Sequence, residues 1–80
     1  MLEKKLTLII TFATTTQAMA MEKFCAEENL PGRLIPVPRQ ITAGCGLAWK
    51  TEPSEKEHFM QALADAGIRW EAMEVLELWG

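Results

Sequence analysis

The sequence predicts an α+β sandwich, and three observations point to it. Apolar residues alternate with threonines near the start of the chain, two later segments carry apolar residues at helical spacing, and both helical segments end alike. Those endings, "ENLPGRL" and "DAGIRW", each lead into an extended run. Eighty residues suffice for one domain spanning residues 1–80. A chain of this size hides only about 60–65% of its unfolded surface, so any site is expected to be shallow. With 49% hydrophobic and 24% charged residues, the composition is that of a folded domain and not of a disordered segment.

Leu6, Leu8, Ile10 and Phe12 alternate with Thr7, Ile9 and Thr11, which is the period of a strand with one face in a core. The same stretch imitates a secretion signal. Lys4 and Lys5 precede an apolar run from Leu6 to Ala13, and Ala18-Met19-Ala20 follows as a small-x-small cleavage site. Cleavage after Ala20 would remove the strand and the first turns of the next helix, leaving about 60 residues, a size at which a core becomes marginal. Retention is therefore expected, with a cytoplasmic location and reduced cysteines. The apolar run is also too short to cross a bilayer, which takes about 20 residues, so no membrane association is expected.

Thr14, Thr15 and Thr16 precede the first helix, and Gln17 stands three residues beyond Thr14 in capping-box spacing. Ala18, Met21 and Cys25 form its inner stripe, flanked by Phe24. Asn29 can close the helix in a left-handed conformation, with Leu30 as the apolar residue beyond it and Pro31-Gly32 turning the chain. "RLIPV" then reads as a second strand. Pro36 and Pro38 donate no ladder hydrogen bonds, so it belongs at a sheet edge.

"PRQITAGCG" is read as a connection and "GLAWK" as the third strand. Glu52-Pro53 ends it, Ser54 with Glu57 makes a second capping box, and Phe59, Ala62, Leu63 and Ala66 take the i, i+3, i+4, i+7 spacing of a core-facing helix. Gly67 and Ile68 repeat the roles of Asn29 and Leu30. "RWEAMEVLELW" closes the chain as a fourth strand, but its alternation falters at Val75-Leu76, leaving the inward face open. The order strand, helix, strand, strand, helix, strand is that of a ferredoxin-like βαββαβ sandwich, a four-stranded antiparallel sheet with two helices on one face. Trp49, Trp70 and Trp79 serve either the helix-side core or the sheet's other face. Exposed aromatics on that other face would mark a partner or a homodimer.

Charge is unevenly distributed. The net charge of −3 argues against nucleic-acid binding, which rests on accumulated Lys and Arg. Yet Asn29 to Thr51 holds no acid and three cations, Arg33, Arg39 and Lys50, while the rest of the chain carries 11 acids and 5 cations. Cys45 lies in this cationic stretch, between Gly44 and Gly46.

The topology brings Cys45 near a helix tip. The first and third strands of such a sheet are antiparallel neighbours, so the end of strand one, with Thr14, Thr15 and Thr16, meets the start of strand three. A helix amino terminus carries about half a positive charge and unpaired N–H groups. Such a setting favours a thiolate, the form that attacks or carries. Arg39 is the best candidate for a charged neighbour, and Gly44 and Gly46 would leave room for a partner and permit unusual backbone angles. Two readings stand side by side: a reactive thiol, or a tight hairpin with a small apolar side chain tucked under it. The threonines likewise serve as caps alone or as part of a thiolate cradle. Cys25, on the apolar stripe, is read as core.

Other chemistries fit less well. Two cysteines with nineteen residues between them and the single His58 do not make a zinc site; no metal and no cofactor are expected. The sequence lacks a C-x-x-C pair, a reduced compartment disfavours a Cys25–Cys45 disulfide, and "TFATTTQ" is no P-loop. His58 belongs to the exposed start of helix two, at the far end of the sheet from Cys45, so a Cys–His catalytic pair is not expected.

"ITFATTTQAMAMEK", "GRLIPVPRQITAGCGLAW" and "ALADAGI" together resemble the selenium/sulfur carrier-like proteins, a family of small bacterial proteins, over nearly the whole chain. The resemblance implies a cysteine that holds selenium or sulfur as a selenosulfide or persulfide. It would receive the atom from a donor such as a cysteine desulfurase and pass it to an acceptor protein. Carried over, that cysteine is Cys45, with Arg33, Pro36, Arg39, Gly44 and Gly46 matching the surrounding pattern, while Cys25 falls at an ordinary apolar helix position. The function expected is delivery and not catalysis. The alternatives are a non-catalytic interaction or small-anion-sensing module with Cys45 structural, and a thiol enzyme, which lacks a recognisable base.

Overall fold

A computed structural model of the chain describes residues 4–39, 41 and 45–79. Its elements are β1 (Lys4–Thr11), α1 (Thr15–Glu28), β2 (Arg33–Pro36), β3 (Leu47–Thr51), α2 (Lys56–Ala66) and β4 (Ala72–Trp79), with a short 3-10 turn, Pro53–Glu55, ahead of α2. The strands lie in the order β2-β3-β1-β4 and every neighbouring pair is antiparallel. This is the ferredoxin-like sandwich expected from the sequence. The segment that imitates a secretion signal supplies β1, which pairs with both β3 and β4. No helix among the described residues is long and apolar enough to cross a membrane.

The helix ends follow the sequence signals at three of four places. At the start of α1, Thr14 Oγ1 accepts the Gln17 N–H (3.2 Å), and Gln17 Oε1 accepts the Ala13 N–H (3.0 Å), so two otherwise unpaired amides are satisfied. Asn29 closes α1 at φ 55°, and Gly67 closes α2 at φ 71°. Leu30 and Ile68 donate their amides back to Cys25 O (2.9 Å) and Leu63 O (3.0 Å). The fourth place differs from expectation. No side chain caps α2 or the turn before it. Pro53, with its φ pre-set, starts a 3-10 turn closed by the Glu55 amide on Glu52 O, and this displaces Ser54 from the capping position.

Register explains which faces are buried. Leu8, Ile10 and Phe12 point to the helix side and join Ala18, Met21 and Cys25 of α1 and Phe59 and Leu63 of α2 in the main core. Each such large aliphatic or aromatic side chain contributes about 1.5–3 kcal/mol by leaving water. Ala66 was expected on the inner stripe of α2 but is exposed. The pairing also resolves β4: Leu8 faces Val75 and Ile10 faces Met73, so the odd residues share the helix side and Glu74, Leu76 and Leu78 the other. Val75 remains exposed and Leu76 half-buried. A strand that buries neither face well gives no clean alternation.

The face away from the helices is partly covered. Val37 and Ile41, from the connection between β2 and β3, pack with Ile9 and Ala48 in a second cluster. Two of the three tryptophans are not displayed there either, and the Trp79 side chain lies outside the described part of the structure. Trp49 is buried in the main core with its indole N–H donating to Pro31 O (3.2 Å), and Trp70 is half-buried against the same core. These two therefore give no support to a homodimer through that face.

Candidate functional site

Alternation of backbone bonding along β3 fixes the position of Cys45. Val37 donates to Gly46 O (3.0 Å), and Pro36 is opposite Leu47. In an antiparallel pair the bonded and non-bonded positions alternate, so Gly46, Ala48 and Lys50 bond toward β2 while Leu47, Trp49 and Thr51 bond toward β1. Pro36 thus sits where its missing N–H faces outward from the sheet edge, at no cost to the ladder.

Leu47 has no partner in β1, because the β1–β3 pairing ends at Thr11 opposite Ala48. Its backbone groups are taken instead by Cys45: the Leu47 N–H donates to Cys45 Sγ at 3.4 Å, and the thiol donates to Leu47 O at 3.5 Å. The sulfur consequently lies on the β1 side of β3, one residue beyond the end of the ladder. It packs against the helix-side core and is half-buried. Gly46 makes this turn with φ 75°, and a Cβ there would meet no atom within 4 Å. The position needs glycine for its backbone conformation and not for space.

The other residues singled out from the sequence fall as follows. Thr14, Thr15 and Thr16 open α1 just beyond the end of β1 and are exposed, at the same end of the sheet as Cys45. Thr14 Oγ1 is committed to the Gln17 amide. The first turn of α1 contains no acid, so its positive end is not neutralised by its own side chains. Arg39 lies exposed in the turn closed by the Ile41 amide on Pro38 O (3.0 Å). It has no ion pair among the described residues, and nothing ties it to Cys45. Gly44 lies outside the described residues.

Cys25 shares none of this. It is 2% exposed on the inner stripe of α1, and burial pushes its thiol up from 9.0 to about 11, because a desolvated thiolate is disfavoured. Both cysteines are free. His58, 3.5 Å from Glu55 through Nδ1, begins α2 at the end of the sheet opposite Cys45, so it supplies no base to that sulfur. Among the described residues no group of three or more His, Cys, Asp or Glu could hold a metal.

Sequence reading missed the Leu47 amide, which no residue type announces, since backbone donors are released by register alone.

Residues 7–74 match the family model described as "Putative Se/S carrier protein-like". No curated protein and no solved structure matches the chain. The match covers most of the sequence, and the chain belongs to that family.

Proposed function

We propose, from the premise of that family membership, that the protein carries a sulfur or selenium atom on Cys45 and delivers it to an acceptor protein. The observation that carries this reading is the Leu47 N–H directed at Cys45 Sγ from the open end of the β1–β3 ladder. A sulfur held at a strand end by a backbone donor and partly open to solvent, at the same end of the sheet as the start of α1, is placed to be reached by a donor and an acceptor. Cys25 offers the opposite: a sealed, neutral thiol.

The exchange balances without an added oxidant. The Cys45 thiolate attacks the outer sulfur of a donor persulfide, forming a new S–S bond as the donor's S–S bond breaks. The donor cysteine leaves with the electron pair and takes up a proton. In the second step an acceptor thiolate attacks that same outer atom, and Cys45 departs as thiolate. Selenium follows the same path as an S–Se species. Delivery in this way needs accessibility and orientation but no general base, which accords with the absence of His58 from this end of the sheet.

One observation favours a second reading, in which Cys45 is structural: its sulfur occupies both backbone groups of Leu47, as a tight-turn residue would. A Cys45→Ser variant separates the two. Incubated with a cysteine desulfurase and cysteine, the native chain should gain the mass of one sulfur atom and the variant none. Equal gain by both would remove the carrier reading, and no gain by either would favour the structural one.

A further inference from the structure

The two edges of the sheet are guarded unequally. β2 closes one edge with four residues, and Pro36 turns its missing N–H outward there. β4 closes the other with eight residues, Ala72–Trp79, that include no proline, lysine or arginine. Its pairing with β1 runs unbroken from Ala72 opposite Thr11 to Trp79 opposite Lys4, so no bulge twists it away. Of the usual protections of an edge strand, which are short length, proline, charge and bulges, β4 retains only Glu74 and Glu77, one on each face.

Register fixes which backbone groups this edge offers. Trp49 and Thr51 bond toward β1, so Ile10 and Leu8 opposite them bond toward β3, and Thr7, Ile9 and Thr11 bond toward β4. Their partners Leu76, Glu74 and Ala72 are thereby used. Met73, Val75 and Glu77 turn their N–H and C=O groups outward, and no further strand meets them among the described residues. Val75 is also 42% exposed on the helix side of the sheet, and Leu6, diagonal to it on β1, is 61% exposed.

The sequence of β4 suits a partner strand identical to itself. In a two-fold antiparallel pair, opposed residues share a face and the central residue meets its own copy. Centring on Glu74 or Glu77 sets two carboxylates directly opposite, which destabilises the pair. Centring on Leu76 escapes this but sets Glu77 against the exposed Val75. Centring on Val75 sets Val75 against Val75, Met73 against Glu77 and Glu74 against Leu76. The residues then exchanging backbone bonds are the three whose groups face outward, and the exposed Val75 side chain is covered by its counterpart.

We propose that β4 pairs with β4 of a second copy, centred on Val75, in a two-fold dimer whose two four-stranded sheets become one. The paired strands run antiparallel, so the two Cys45 ends are set apart. The test is sedimentation equilibrium of the full chain between about 1 μM and 1 mM, with amide hydrogen exchange on the same samples. Dimer formation that rises with concentration is expected. Exchange should slow at the Met73, Val75 and Glu77 amides in the concentrated sample and not at Leu34, whose amide faces outward at the β2 edge. Val75→Pro removes an N–H that takes no part in the β1–β4 ladder, so the variant should fold, as read by circular dichroism, and dimerise about tenfold or more weakly. Val75→Lys sets two cations opposite and should also weaken dimerisation about tenfold, which keeps the test open if the proline variant does not fold. A native chain still monomeric at about 1 mM overturns the proposal and leaves the edge to an extended segment of another protein. A dimer whose Val75 and Glu77 amides exchange as they do in the dilute sample, or undiminished dimerisation of folded Val75→Lys, overturns it as well.

Discussion

Cys25 and Cys45 are the same functional group in opposed settings, and the contrast shows how a small fold assigns chemistry by position. Cys25 is one turn from Met21 on the buried stripe of α1, where its sulfur packs in the apolar core. Cys45 stands where a strand ladder runs out, so a backbone donor is left over and turns to the sulfur. Burial suppresses ionisation at the first, whereas the second is half-buried with a backbone donor on its sulfur. A domain of 80 residues has little room for an enclosed site, and the end of an incomplete ladder is where it can present polar backbone without a cavity.

The largest expected difference between the two regions is in alkylation. Iodoacetamide should label Cys45 in the native chain, while Cys25 should react only through opening of the core. Even a marginal stability of about 5 kcal/mol would slow its labelling by roughly a thousandfold or more. Comparable rates at the two residues, read by peptide mass spectrometry, would break the contrast.

Next in size is the response to alkaline pH. The Cys25 thiol is raised from 9.0 to about 11, so between these values the unfolded chain loses a proton that the folded chain keeps. Its contribution is therefore complete below about pH 9 and disappears as pH rises toward 11, a loss of about 2–3 kcal/mol. Denaturant unfolding across that range should follow this slope, and a Cys25→Ala variant should lack that component.

Serine substitutions sharpen the comparison further. Cys25→Ser places a hydroxyl among apolar neighbours and should cost about 1–3 kcal/mol of stability. Cys45→Ser, at a half-buried site with the Leu47 backbone still in reach, should cost less than about 1 kcal/mol. The smallest expected effect is at the turn itself. Gly46→Ala forces a side chain into φ 75° with no steric contact and should destabilise by about 1 kcal/mol, measurable by chemical denaturation.

How far the sequence discloses these features depends on whether the deciding force is local. The caps at Thr14, Asn29 and Gly67 were legible because each is set by one residue type at one spacing. The edge position of β2 was legible from Pro36 for the same reason. The start of α2 was misread, because Pro53 imposed a 3-10 turn in competition with the Ser54 signal. The faces of β4 could not be read because its exposed outer half supplies no burial pattern. At the candidate site the glycine-flanked cysteine was visible, and topology foretold its end of the sheet. The Leu47 donor emerges only from strand register, a non-local property.

The most direct measurement of the central claim is to find where a transferred atom resides. The native chain is exposed to a persulfide-bearing desulfurase, trapped with an alkylating reagent and digested, and each cysteine-containing peptide is weighed. The account predicts the added sulfur on the peptide containing Cys45 and an unmodified Cys25. An added sulfur on Cys25, or an equal share on both, would contradict it.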